Sequence, residues 1–133
     1  MTNKKEFRLI LTNINDAKIN MAIDKALSIS YEKDDMPILR FYTWENSFTV
    51  GLGQDIEHYD DLKEIYKDNC SKRITGGGVL FHGHDISYSL VLSNTEFGNL
   101  SIKQSYEKIC QFLLEFYKDL ELNPSFVKDS EYI

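Results

Sequence analysis

The sequence is sparing with the residues that usually declare a function. It holds two cysteines, Cys70 and Cys110, in no CxxC spacing. Neither a disulfide framework nor a cysteine metal site is expected, and both read as ordinary reduced thiols. Two prolines and seven glycines in 133 residues leave no proline-rich or low-complexity segment. Basic residues are outnumbered, 15 against 21 acidic, for a net charge of −6, which speaks against nucleic acid as the main partner. No apolar run reaches the roughly 18 residues of a membrane span. The polar opening MTNKKEF does not read as a secretion signal. The expectation is a cytoplasmic protein that works without nucleic acid or membrane.

What is present suits one folded domain with a modest core: 42% hydrophobic and 13% aromatic residues. Phe7 to Leu11 reads as a first strand. Asn15-Asp16 reads as a cap to a helix whose apolar positions are Ile19, Ala22, Ile23, Ala26, Leu27 and Ser30, with Lys18, Asp24 and Lys25 exposed. Asp34, Asp35 and Pro37 mark a loop, and PILRFYTWE and SFTVGLG predict a hairpin around Glu45-Asn46. Asp55 to Asp68 predicts a polar helix, with Asp55, Glu57, His58, Asp60 and Asp61 solvated. Arg73 to His82 and Ile86 to Leu92 predict two strands joined by the turn Gly83-His84-Asp85. A last helix begins at Asn99-Leu100-Ser101, with the apolar stripe Tyr106, Ile109, Cys110, Leu113, Leu114, Phe116 and Tyr117. The order β-α-β-β-α-β-β-α predicts mixed α/β architecture. Ser130 to Ile133 alternates like a strand just beginning, so the expectation is a domain whose second half is missing or supplied elsewhere.

The stretch KRITGGGVLFHGHD, Lys72 to Asp85, is the most informative. Three adjacent glycines cost backbone entropy, so something there needs a close approach. Three readings stay open. The glycines could let the backbone reach a ligand, with Arg73 supplying a forked cation for carboxylate or phosphate. They could form a nucleotide loop, but neither GxxxxGK followed by Ser or Thr nor GxGxxG opening a helix is present. They could be a bulge without a ligand. His82 and His84 share one strand face, yet no third ligand is signalled, so no metal site is expected.

The pattern Arg-x-x-Gly-Gly-Gly-x-x-x-His, with Tyr88 six residues beyond, resembles the biotin/lipoate protein ligase superfamily, in its lipoate–protein ligase and lipoyl/octanoyl transferase branch. NMAIDKAL (Asn20–Leu27) is similar to that family's first-helix segment, and LRFYTWENSFTVGLGQ (Leu39–Gln54) to its strand pair. The resemblance runs from about Phe7 to the end of the chain. It implies an α/β (α+β) fold, a mixed β-sheet flanked by helices of the class II synthetase-like biotin/lipoate ligase type, incomplete at the C-terminus. It implies lipoate or octanoate as the acyl group, ATP with Mg2+ as a further substrate, and a lipoyl-domain lysine as acceptor. Acyl and adenylate contacts would come from Trp44, Gly53, Arg73, Gly76, Gly77, Gly78, Val79 and His82, with burial of an acyl chain of about eight carbons contributing roughly 0.8 kcal/mol per methylene.

The sequence departs from the family at its chemical centre. The ligase lysine, in a GxKxxG-like strand, would fall just past the region matching SEYI, and Lys128 has no such context. The transferase cysteine would fall near Pro124-Ser125-Phe126, where Ser125 stands instead. The catalytic residue is therefore unassigned. The reading expected from the sequence is the N-terminal half of a ligase or transferase, cut short or one chain of a split enzyme, and inactive or partner-dependent because the catalytic lysine segment is absent. A non-catalytic acyl-binding module and a degenerate interaction domain are the alternatives, and an open sheet edge would favour a homodimer.

Overall fold

A computed structural model of the chain describes residues 6–126, which divide after Ser93 into two compact units. In the first unit β1 (Arg8–Leu11) lies parallel to β2 (Ile38–Thr43), and β2 pairs antiparallel with β6 (Ile86–Val91). A second three-stranded sheet places β3 (Ser47–Val50) between β4 (Cys70–Lys72), parallel to it, and β5 (Leu80–His82), antiparallel to it. The expected hairpin at Glu45-Asn46 does not form, because β2 and β3 belong to different sheets. The turn Gly83-His84-Asp85 likewise passes from one sheet to the other.

The two sheets nonetheless share one register. Thr43 faces Ile86 in the first ladder, and four residues on, Ser47 faces His82 in the second. A single long antiparallel pair thus runs through both sheets and breaks where Trp44–Asn46 opposes Gly83–Asp85. At the break the backbone bonds elsewhere: Glu45 donates its N–H to the Asn15 carbonyl at 2.9 Å, and Asn69 Nδ2 donates to the Asn46 carbonyl at 3.2 Å.

Helix α1 (Ala17–Ser30) starts where expected, with the Asp16 carboxylate accepting from the Ile19 N–H at 2.7 Å. Its buried face differs from the predicted one. Ala17, Asn20, Met21 and Asp24 point inward, while Ile19 is exposed. The cause lies on β2, where alternate residues Ile38, Arg40 and Tyr42 are buried. Arg40 has no exposed surface, so the helix must bring it acceptors. Its guanidinium makes five hydrogen bonds, to Thr12, to the Asn20 side chain and carbonyl, and to Asp24 Oδ1 at 2.7 Å. Tyr42 and Ser89 donate to the same carboxylate at 2.7 and 2.8 Å.

The predicted polar helix shortens to a 3-10 turn (Ile56–His58) and α2 (Asp60–Ile65), which ends where Lys67 and Asp68 take positive φ of 52° and 58°. The expected strand from Arg73 is also divided: β4 precedes it, residues 73–79 form a loop, and only Leu80–His82 is strand. In the second unit Ser101 and Gln104 close a capping box on α3 (Ile102–Ile109). The expected single helix is interrupted at Cys110, whose ψ of 0° departs from helical geometry, before α4 (Gln111–Asp119). Neither helix carries a fully buried residue. Lys128 and Ser130 to Ile133 lie outside the described residues.

Candidate functional site

The glycine stretch joins β4 to β5 and lies against the end of β3. Arg73 donates its N–H to the Val50 carbonyl, and Leu52 donates to the Thr75 carbonyl, both at 2.9 Å. The close approach that the glycines imply is made to Gly51. A Cβ on Gly51 would stand 2.0 Å from the Gly77 carbonyl oxygen, so no side chain fits there. Gly77 takes a φ of +99°, the left-handed region that glycine enters freely. Gly76, Gly78 and Gly53 have open space where a Cβ would be.

Arg73 shapes this loop from within. Nη2 donates to the Gly76 and Gly78 carbonyls at 3.1 and 2.7 Å, and Nη1 donates to Thr49 Oγ1 at 2.8 Å. Burial lowers the guanidinium's pKa from its usual value, which for arginine still leaves a cation. Among the described residues no carboxylate lies within ion-pair distance of it, and the N–H groups of Gly76, Gly77 and Gly78 donate no backbone hydrogen bond. The loop therefore combines an uncancelled positive charge with three N–H donors, a composition suited to an anion.

Thr49 continues the network to His82. Oγ1 lies 2.9 Å from His82 Nε2, and His82 Nδ1 lies 2.8 Å from Asp85 Oδ2. Asp85 also accepts from the Gly83 N–H at 3.0 Å. Burial pushes the Asp85 carboxyl up, but the His82 and Gly83 hydrogen bonds outweigh it and hold the group below the ordinary carboxylate value. The imidazole stacks on Trp44, centroids 3.8 Å apart and planes 13° from parallel. Trp44 in turn donates to Ser87 Oγ at 2.9 Å and packs with Tyr42, Met21 and Ala17.

Of the residues singled out in the sequence, Arg73, Gly76–Gly78, His82 and Trp44 thus join one continuous network. Gly53 sits in the exposed turn after β3, closed by the Gln54 N–H on the Gly51 carbonyl at 3.0 Å. Val79 packs on the other face of β3, with Phe48, Val50, Cys70, Ile56 and Tyr59. Cys70 is buried in β4, where burial raises its thiol pKa, and Cys110 lies at the α3–α4 junction. Ser125 is exposed. Thr49 and Gly51 escaped the sequence reading, in which Asp85 figures only as a turn residue. The alternation of polar Ser47 and Thr49 with apolar Phe48 and Val50 is the one signal that could have flagged Thr49. Among the described residues no group of three His, Cys, Asp or Glu side chains could hold a metal ion, and no helix is long and apolar enough to cross a membrane.

Comparison with known proteins covers most of the chain. It is 35% identical over 109 residues to octanoyltransferase LipM of Oceanobacillus iheyensis, and 33% identical over 115 residues to that of Clostridioides difficile. These alignments take in 79% and 83% of this chain but only 36% and 42% of those proteins, so the chain spans less than half of their length. Among solved structures, a lipoate–protein ligase A bound with ATP superposes with a TM-score of 0.76 at 28% identity, over 93% of this chain and 51% of that one. A Thermoplasma acidophilum protein assigned as a lipoate protein ligase, with bound lipoic acid, gives 0.74 at 27% identity, over 95% and 54%. A bi-partite lipoate protein ligase of the same organism, described with its E2 lipoyl domain, gives 0.76 at 26% identity, over 94% and 49%. Residues 16–132 match the lipoyl protein ligase A/B catalytic domain, and with the mixed sheets and the clamped glycine loop in place, the chain belongs to that family.

Proposed function

We propose that this chain forms the acyl- and anion-binding wall of an enzyme that joins a lipoyl or octanoyl group to a lysine of a lipoyl domain. The observation that carries this reading is the Arg73 clamp: among the described residues the three glycine N–H groups have no backbone acceptor, and they lie beside a cation with no carboxylate partner. A fatty-acid carboxylate or the phosphate of its adenylate is the ligand such donors suit. Arg73 and Gly76–Gly78 are assigned to that anionic end and Trp44 and His82 to the acyl side, whereas Gly53, in an exposed turn, and Val79, on the other face of β3, lie apart from this network. The relatives solved with ATP and with lipoic acid support the two ligands, and Mg2+ would accompany ATP as the counter-charge of its phosphates.

The chain's own residues bind and orient in this reading, and the attacking group comes from the part of the family domain that the chain does not span. That part is supplied by a longer protein or by a separate chain, an arrangement supported by the bi-partite relative. A homodimer through an open sheet edge is the competing assembly. The setting is cytoplasmic. Calorimetric titration with lipoic acid, octanoic acid and a non-hydrolysable lipoyl-adenylate mimic tests the reading. Micromolar binding of the mimic, lost in Gly77→Val, is expected. A folded protein that gives no heat with any of the three, alone or with a lysine-bearing partner chain, would sink it.

A further inference from the structure

We propose that Thr49 is a positioning residue of this site: its hydroxyl is the atom through which His82 fixes Arg73, and with Arg73 the glycine loop. Asp85, His82 and Thr49 have the connectivity of an orienting acid, a base and a hydroxyl nucleophile, at 2.8 and 2.9 Å. Nucleophilic attack by Thr49 is ruled out by access. The residue has no exposed surface, and its oxygen already accepts from Arg73 at 2.8 Å. An acyl donor cannot reach it.

What the relay ends on is the clamp. Arginine can only donate, so Thr49 Oγ1 accepts from Nη1 and has its own proton left to give. His82 Nε2 takes that proton as an acceptor, which places the imidazole proton on Nδ1, facing the Asp85 carboxylate. The Asp85 carboxylate can only accept, so in the neutral imidazole Nδ1 donates to it and the bare Nε2 accepts from the Thr49 hydroxyl, whose oxygen accepts from Arg73. Asp85 sets the tautomer, the tautomer orients the hydroxyl, and the hydroxyl holds one arm of the fork whose other arm grips the Gly76 and Gly78 carbonyls. The stack of His82 on Trp44 ties the same relay to the wall assigned to the acyl chain. Thr49 thereby makes the anion end of the site depend on the acyl end.

Thr49→Val keeps the side-chain shape and deletes the hydroxyl, and Thr49→Ser keeps the hydroxyl and deletes the methyl. Amide hydrogen exchange at Arg73 and Leu52, whose N–H groups tie the loop by donating to the Val50 and Thr75 carbonyls, is expected to speed about tenfold in Thr49→Val and to stay near wild type in Thr49→Ser. Equal rates in Thr49→Val and wild type, or a serine variant as fast as the valine one, overturn the proposal. Nitrogen-15 spectra of the wild-type imidazole above neutral pH decide it even if the valine variant does not fold. A proton on Nδ1 and a bare, hydrogen-bonded Nε2 are expected, and the reverse tautomer overturns it. Only the ligand arm rests on the proposed acyl-transfer reading: Thr49→Val should bind the lipoyl-adenylate mimic about tenfold more weakly. If wild type ignores the mimic while exchange still separates the variants, that reading falls and the relay stands.

Discussion

Two arginines of the first unit invite comparison. Arg40 is fully enclosed, and its charge is met by the Asp24 carboxylate at 2.7 Å, with Tyr42 and Ser89 filling the remaining acceptor capacity. Arg73 is partly exposed, and its partners are two carbonyls and a hydroxyl, all neutral. Both side chains use the guanidinium fork to tie backbone together. The difference is the missing carboxylate. A cancelled charge in the core is inert toward ligands and holds α1 to β2. A charge solvated only by dipoles still projects a field, so the second arginine shapes a loop and keeps that loop attractive to anions.

Breaking each arginine's support should therefore have opposite consequences. Asp24→Ala leaves Arg40 buried and uncompensated, at a cost of about 3–5 kcal/mol. Urea denaturation should show most of the stability gone, and a loss under about 1 kcal/mol would end the comparison. Gly51→Ala forces a Cβ onto the Gly77 carbonyl and should cost about 1–3 kcal/mol by overpacking. Binding of the adenylate mimic should disappear with it, because the loop must move. Arg73→Ala should cost only about 1 kcal/mol, its three hydrogen bonds being partly replaceable by water, yet abolish mimic binding. If it unfolds the chain as Asp24→Ala does, the two arginines are doing the same job. The smallest effect concerns Asp85. Its depressed pKa contributes stability above the unfolded value near 3.9, and that contribution is lost as pH falls through the lower folded value. With its side chain 40% exposed, screening leaves at most a few tenths of a kcal/mol. Acid denaturation below about pH 4 should be slightly steeper in wild type than in Asp85→Asn.

How much of this was legible in the sequence depends on range. β1, β6, the Asp16 cap and the start of the last helical region follow from local patterns that tertiary structure left alone. The strand pair around Glu45-Asn46 did not, because a turn signal says where a chain bends and not which sheet receives it. Asp24 was read as solvated because it is charged and falls outside the apolar stripe of its helix, and its partner Arg40 stands 16 residues away. The glycine triplet and His82 could be singled out from their pattern. Thr49 and Gly51, which hold them in place, sit in an unremarkable strand end, and their importance arises only when β5 is laid against β3. Arg73 was legible as a cation but not as a clamp, since the carbonyls it grips are invisible in any list of side chains.

The shared register of the two ladders has a consequence for the lengths that members of such a lineage can take. Trp44–Asn46 and Gly83–Asp85 are opposed connections of equal length, with Thr43 set on Ile86 before them and Ser47 on His82 after. Adding a residue to one connection alone would shift β3 against β5 by one position and turn His82 away from Thr49, because side chains alternate along a strand. Insertions and deletions at these two places can persist only as matched pairs. A drift in length at one of them, 39 residues away in sequence from the other, would have to be answered there before the site could work again.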